Sequence, residues 1–322
     1  MLRRHTAALA VAMAVIAAPA AAQDYPTKAV KMLSGFPPGG AVEIVGRVIG
    51  EHLHKALGQP FVLEAKPGAS GNVAGQLLAT APPDGYTISL MAPTVITVNA
   101  VMFKDMPFDP VTAFAPISLL VRLPFLVEVS TKHPFKTFAE FVAFAKASPK
   151  PLYHGSPGIG SSPHLAAALL TERIGFKSEH VPYRGTGPFS QGMMQKELDW
   201  SFDVPFTALS LSKAGHVNLV AITAEKRDDR FPGVPTLAEL GVPDSVWVSW
   251  FALAAPAGTP KPIIDRLSRE VANAYKDPEV RQRILNAGLE PYATTPEETA
   301  KIFAADRARW SKVVKDNNIK AE

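Results

Sequence analysis

Cysteine is absent from the 322 residues. Disulfide staples, cysteine-type zinc sites and thiol nucleophiles are therefore excluded, and the core alone must hold the fold. Charge of one sign is missing too, since 33 basic residues stand against 29 acidic ones. That excess is too small and too scattered for a nucleic-acid surface, so no nucleic-acid partner is expected. Past residue 22 no apolar run is long enough to span a bilayer, so no stable membrane insertion is expected. His52 and His54 lie two apart on a helix and face apart. His133, His154, His180 and His216 show no ligand spacing either. No metal site and no cofactor is expected.

What is present begins with an export signal. Met1-Leu2-Arg3-Arg4-His5 is a basic start, residues 7–18 are apolar, and Ala20-Ala21-Ala22 supplies small residues for cleavage. Residues 1–22 thus read as a secretory signal peptide cut near Gln23. The remaining length suits one large or two ordinary domains, and 47% apolar content is ample for their cores.

Two stretches share one design. Ala29-Val30-Lys31-Met32-Leu33 is β-prone, Ser34-Gly35-Phe36-Pro37-Pro38-Gly39-Gly40 is a stiff turn, and Ile44, Val48, Ile49 and Leu53 follow at helical spacing. Proline fixes φ and glycine lets backbone approach a ligand, while the helix start favours an anion. Half a chain later, Gly155-Ser156-Pro157-Gly158-Ile159-Gly160-Ser161-Ser162-Pro163-His164 leads into the apolar run 165–170. Two anion-ready helix starts suggest two α/β lobes facing one ligand. The βα alternation elsewhere predicts α/β architecture with mostly parallel sheets. Residues 117–122 and 125–129 read as consecutive strands that carry the chain between lobes, and 246–254 as the return. Thr137 and Glu140 form a capping box. Thr94 lies just past a strand's carboxyl end, where open α/β sheets place ligands.

Several motifs appear in order: Phe36-Pro37-Pro38-Gly39-Gly40, Pro67-Gly68-Ala69-Ser70-Gly71-Asn72, Pro83-Asp84-Gly85-Tyr86-Thr87, Ser156 to His164, Val181-Pro182-Tyr183-Arg184-Gly185 and Ala255-Pro256-Ala257-Gly258-Thr259-Pro260. Together they resemble the Bug family, the TctC-like substrate-binding proteins of tripartite tricarboxylate transporters. The resemblance implies a two-lobed Venus-flytrap protein of the type II-like kind with crossing hinge strands. It would be a monomer in a Gram-negative periplasm, delivering a carboxylate to a large and a small membrane subunit. On this reading residues 23–125 with 249–322 form lobe 1, and 126–248 form lobe 2. The matching ligand-binding positions are Phe36, Pro38, Gly39 and Gly40, then Ser156, Gly158, Gly160, Ser161 and His164, with Arg184, Gly185 and Asp203 near the cleft. Family members often carry hydroxyl residues where Ala41 and Val42 stand, and an aspartate where Glu43 stands. A less polar wall suits a ligand with a larger apolar body, such as an aromatic carboxylate or an aliphatic dicarboxylate.

Other readings of the same residues stay open. Ser161, His164 and Asp203 would make an exported hydrolase if they met as a triad, although no G-x-S-x-G elbow is present. The same fold would also serve as a sensor for a signalling receptor. Arg184 either pairs with a ligand carboxylate or is a surface residue. Asp203 repels a second carboxylate, holds an amino group or caps the next helix. Phe36, Phe206 and Trp250 either line the cleft or belong to the core.

Overall fold

The computed structural model describes residues 25–36, 38–103 and 106–320. The signal peptide expected at 1–22, its cleavage site and Pro37 of the first turn lie outside the described residues. The first βα unit forms as its pattern dictates. β1 (Val30–Ser34) buries four of its five side chains, and α1 (Ala41–Leu57) buries Val45, Val48, Ile49 and Leu53 against it. Gly58, at φ 75°, ends the helix in the left-handed conformation that glycine adopts without strain. β2 (Phe61–Ala65), α2 (Asn72–Ala79) and β3 (Thr87–Met91) follow. A wide turn over Thr94–Val98 then leads into the short α3 (Asn99–Met102) and the long β4 (Phe114–Pro124).

The chain then builds a second unit. β5 (Leu126–Ser130) is followed by α4 (Phe138–Ala147), whose Thr137–Glu140 capping box is formed as expected. Next come β6 (Leu152–Ser156), α5 (Ser162–Ile174), β7 (Ser178–Pro182), α6 (Thr186–Met194), β8 (Trp200–Asp203), α7 (Pro205–Lys213) and β9 (Val217–Ile222). The chain returns through β10 (Val248–Pro256), α8 (Lys261–Ala274), α9 (Pro278–Asn286), the two-residue β11 (Glu290–Pro291) and α10 (Pro296–Asp316).

Two sheets result, ordered β11-β4-β10-β3-β1-β2 and β7-β6-β8-β5-β9. The expectation of mostly parallel sheets needs correcting, because both are mixed. β1 runs parallel to β2 and β3, and β6 to β7 and β8. The strands that pass between lobes reverse direction: β10 is antiparallel to β3 and β4, and β5 to β8 and β9. A strand entering a lobe from its neighbour has no crossover helix to turn it round, so it pairs antiparallel.

The two crossings are tied at Thr223, which is fully buried. The Phe125 amide donates to its hydroxyl at 2.8 Å, and that hydroxyl donates to the Trp247 carbonyl at 2.6 Å. The last helix bridges both cores. Phe303 stacks on Trp250 at 4.8 Å and Asp306 accepts from the Trp250 indole at 2.7 Å, while Trp310, Val313 and Val314 pack into the second lobe. Trp250 is therefore a core residue of lobe 1 and no cleft wall. Among the described residues no helix is long and apolar enough to cross a membrane.

Candidate ligand-binding site

The second-lobe loop, residues 156–164, sits at the carboxyl ends of β6 and β8 and feeds the start of α5. Its glycines serve close approach. Gly158 (φ 154°) and Gly160 (φ 72°) both lie in the region that disfavours side chains. Three loop amides are already committed. Gly158 N–H donates to Ser156 Oγ at 3.2 Å, Gly160 N–H to His164 Nδ1 at 3.1 Å, and Ser161 N–H to the Gly158 carbonyl at 3.2 Å. The amides of Ile159, Ser162 and His164 have no acceptor among the described residues. Pro163, in the first turn of α5, has no N–H to offer. Ser161 occupies the N-cap position but makes no capping bond, and its buried hydroxyl has no partner among the described residues. Three open amides, one open hydroxyl and a helix N-terminus therefore converge where an anion is favoured.

The first-lobe loop behaves differently. Glu43 folds back so that its carboxylate accepts the Gly39 N–H at 2.5 Å and Arg47 Nε–H at 2.7 Å. The Gly39 amide, then Arg47, hold the Glu43 carboxyl below the usual range. This protein thus supplies its own anion to Gly39. Ala41 and Val42, the first helical positions, have no intrahelical acceptor. Gly35 is glycine because a Cβ there would meet the Gly71 backbone at 2.8 Å, which packs the 68–72 loop against the first loop. Behind both, Asn99 Nδ2 donates to Asn72 Oδ1 at 2.6 Å.

β10 brings the two loops to one place. Phe36, half-buried, packs against Phe251 with ring centroids 6.3 Å apart. Two residues away on the same strand, Ser249 Oγ lies 3.5 Å from Ser162 Oγ. Two further contacts join segments distant in the chain: a Cβ on Gly160 would lie 2.8 Å from Met102 Cε, and one on Gly288 would lie 2.9 Å from Phe206 Cβ. Phe206 is 65% exposed. Thr94 is half-buried at the end of β3, and Pro38, Gly39 and Gly40 are exposed. Arg184 is exposed and forms no ion pair among the described residues, whereas Gly185 N–H donates to the Pro157 carbonyl at 3.0 Å and braces the second loop.

Asp203 turns away from solvent. It and Glu128 are fully buried on one face of the paired β5 and β8, where Leu126 pairs with Asp203 and Glu128 with Ser201. Ser201 Oγ donates to Glu128 Oε1 at 2.6 Å, and Asp203 Oδ1 accepts the Val204 N–H at 2.7 Å. Each carboxyl keeps one oxygen without a partner. Burial pushes Glu128 up to about 7, and burial together with the Glu128 charge pushes Asp203 well above the usual carboxylate range.

The triad does not assemble. His164 Nδ1 receives the Gly160 amide, Ser161 Oγ has no partner, and Asp203 bonds within its own turn. His164 instead joins a cluster that its spacing in the chain does not foretell. Its ring stacks on His180 at 3.6 Å, and His154 stacks on His180 at 5.1 Å. Burial, then the His180 charge, pulls His164 down to about 3, while burial pulls His180 to about 4 and His154 well below its ordinary value. All three imidazoles are neutral. His180, Met102, Ser249 and Glu128 are site or near-site residues that sequence reasoning missed, because each reaches the loops only through tertiary pairing.

Residues 45–319 match the tripartite tricarboxylate transporter family receptor. The chain belongs to that family. Protein BugT of Bordetella pertussis is 30% identical over 311 residues, covering 96% of this chain and 95% of BugT. Among solved structures, Rpa4515 of R. palustris with adipate shares 31% identity, with TM-score 0.81, over 92% of this chain and 99% of that one. MatC of Rhodopseudomonas palustris with bound malate shares 29% identity, with TM-score 0.76, over 90% and 100%. The receptor family is one of periplasmic binding proteins, and the two mixed sheets are those of its solved members.

Proposed function

We propose that this receptor captures an organic carboxylate between its lobes and delivers it to the large and small membrane subunits of a tripartite tricarboxylate-type transporter. The observation that carries the reading is the start of α5: three amides and the Ser161 hydroxyl, all without a partner among the described residues. Relatives of this chain hold adipate and malate in the same fold. Charge-assisted bonds contribute about 1.5–3 kcal/mol each, so a few suffice for a carboxylate without an arginine. Ile159, Ser162 and His164 donate through their amides and Ser161 through its hydroxyl. Gly158 and Gly160 shape the loop, and Ser156 braces it.

The other end of the ligand meets Ala41, Phe36 and Phe206, with Thr94 at the side. Glu43 already claims the Gly39 amide, so the first loop suits at most one further carboxylate and not the two that citrate would leave there. An aromatic carboxylate or a medium-length aliphatic dicarboxylate such as adipate fits this division better than citrate. Lobe 1 comprises residues 23–125 with 249–322 and lobe 2 residues 126–248, hinging near 121–129 and 247–254. The mature, monomeric protein begins near Gln23 in the periplasm, which N-terminal sequencing of a periplasmic extract checks. Calorimetric competition among adipate, benzoate, malate and citrate tests the ligand class. Adipate or benzoate should bind most tightly; citrate outcompeting both, or no binding by any carboxylate, refutes it.

A further inference from the structure

We propose that His154, His164 and His180 form a binding site for a divalent transition-metal ion behind the second-lobe loop. The inference does not depend on which solute the cleft accepts. The three residues come from three elements that the fold brings together. His154 on β6 and His180 on β7 are register partners in the parallel ladder, so both side chains stand on one sheet face. α5 packs over that face and lays His164 of its first turn on them. One donor atom from each lies within 4.8 Å of the other two. Tetrahedral zinc with Zn–N of about 2.0–2.1 Å needs donors about 3.4 Å apart, so the cluster must contract by up to about 1.4 Å.

The hydrogen bonds assign the free lone pairs. Ser178 Oγ donates to the Leu152 carbonyl at 2.7 Å and accepts from the Trp200 indole at 3.1 Å. Its contact with His154 Nδ1 at 2.8 Å therefore places the proton on that nitrogen. His154 Nε2 is left as a bare acceptor, buried and without a partner among the described residues. A buried acceptor without a donor is costly, and an ion is one of the few things that explains it. Likewise Ser156 Oγ donates to the Gly158 carbonyl at 2.9 Å, so His180 Nε2 is the donor in its 2.7 Å contact with Ser156 and Nδ1 keeps a lone pair. Metal-bound histidines are held in this way, each outer nitrogen donating to a fixed acceptor. Three imidazoles without a carboxylate select zinc, cobalt, nickel or copper over magnesium or calcium. His180, only partly buried, gives the ion access.

His164 couples the site to the loop. Its Nδ1 accepts the Gly160 N–H, so its proton lies on Nε2. To ligate through Nε2 it moves that proton to Nδ1 and surrenders the Gly160 bond. The ring also slides off its stack on His180, because parallel rings 3.6 Å apart do not point their lone pairs at one centre. Occupation by metal therefore loosens the loop at Gly160.

The test uses the full mature chain without a histidine tag. Calorimetric titration with zinc should give one ion per chain. Cobalt should give the intense visible bands of a four- or five-coordinate nitrogen site, and copper an electron-resonance pattern split by three nitrogens. His154→Gln and His180→Gln should each weaken zinc binding at least tenfold, while His52→Gln and His133→Gln leave it unchanged. Circular dichroism confirms that each variant is folded. If His154→Gln fails to fold, the copper pattern of the wild type decides: three nitrogens support the site, two or fewer overturn it. Wild-type zinc binding no tighter than that of folded His154→Gln also overturns it.

Discussion

Glu128→Gln removes one of two carboxyls buried side by side, neither with an ion-pair partner among the described residues. Folding raises the Glu128 pKa from 4.5 to about 7, chiefly through burial. A shift of that size corresponds to about 3 kcal/mol between the protonated and ionised states. The folded state holds this proton more tightly than the unfolded chain does. The stability the proton confers is therefore complete below pH 4.5 and is lost as pH rises towards and through 7. Asp203, raised by its own burial and by the Glu128 charge, slopes the same way. Glutamine keeps an oxygen for the Ser201 hydroxyl and never ionises. Urea unfolding at pH 5, 6.5 and 8 should show Glu128→Gln gaining stability relative to wild type at each step. At pH 8 the variant should be the more stable by about 1–3 kcal/mol, with the difference shrinking to under about 1 kcal/mol at pH 5. The three neutral histidines slope oppositely at acid pH, but they are common to both proteins and cancel in the difference. Parallel pH dependences, or a variant less stable than wild type at pH 8, would refute the buried-proton reasoning.

Gly160→Val should weaken carboxylate binding at least tenfold in calorimetry. The added side chain meets Met102 and sits at φ 72°, a conformation that costs a branched residue about 1–3 kcal/mol. Adding Met102→Ala should recover only the contact part; full recovery would show that backbone strain is irrelevant there. Ser161→Ala should leave the melting temperature of the ligand-free protein nearly unchanged, because the hydroxyl makes no intramolecular bond, yet reduce carboxylate affinity by about 1–2 kcal/mol. Unchanged affinity would remove Ser161 from the site. Glu43→Ala should raise affinity for dianions relative to monoanions several-fold by freeing the Gly39 amide, and an unaltered ratio would contradict the role assigned to Glu43.

The order of strands and helices was legible because its signals are local. Alternation in 30–34, the helical spacing of Ile44, Val48, Ile49 and Leu53, and the Thr137–Glu140 box each need only neighbouring residues. The two glycine-rich helix starts were legible for the same reason. Strand direction was not, since β10 slots between β3 and β4 by a tertiary choice that its own residues do not encode. The donors of the loops were also hidden. Gly158, Gly160 and Gly39 look like open amides in sequence, but Ser156, His164 and Glu43 claim them. Gly160 is glycine both for its positive φ and because Met102, far away in the chain, lies against it. The histidine cluster escaped notice because residues 154, 164 and 180 have no helical or hairpin spacing; a parallel strand pair and an overlying helix bring them together. Asp203 was read as a cleft residue or cap, and its place beside Glu128 on one sheet face required knowing that β5 lies antiparallel to β8.

If the open donors at the start of α5 hold a ligand carboxylate, their amides must respond to it. Amide-resolved magnetic resonance of the nitrogen-labelled protein, titrated with adipate, tests it most directly. The amides of Ile159, Ser162 and His164 should shift most, in a single saturable transition, with those of Ala41 and Val42 following as the lobes close. Saturable binding that leaves Ile159, Ser162 and His164 unmoved while other amides shift would contradict the account.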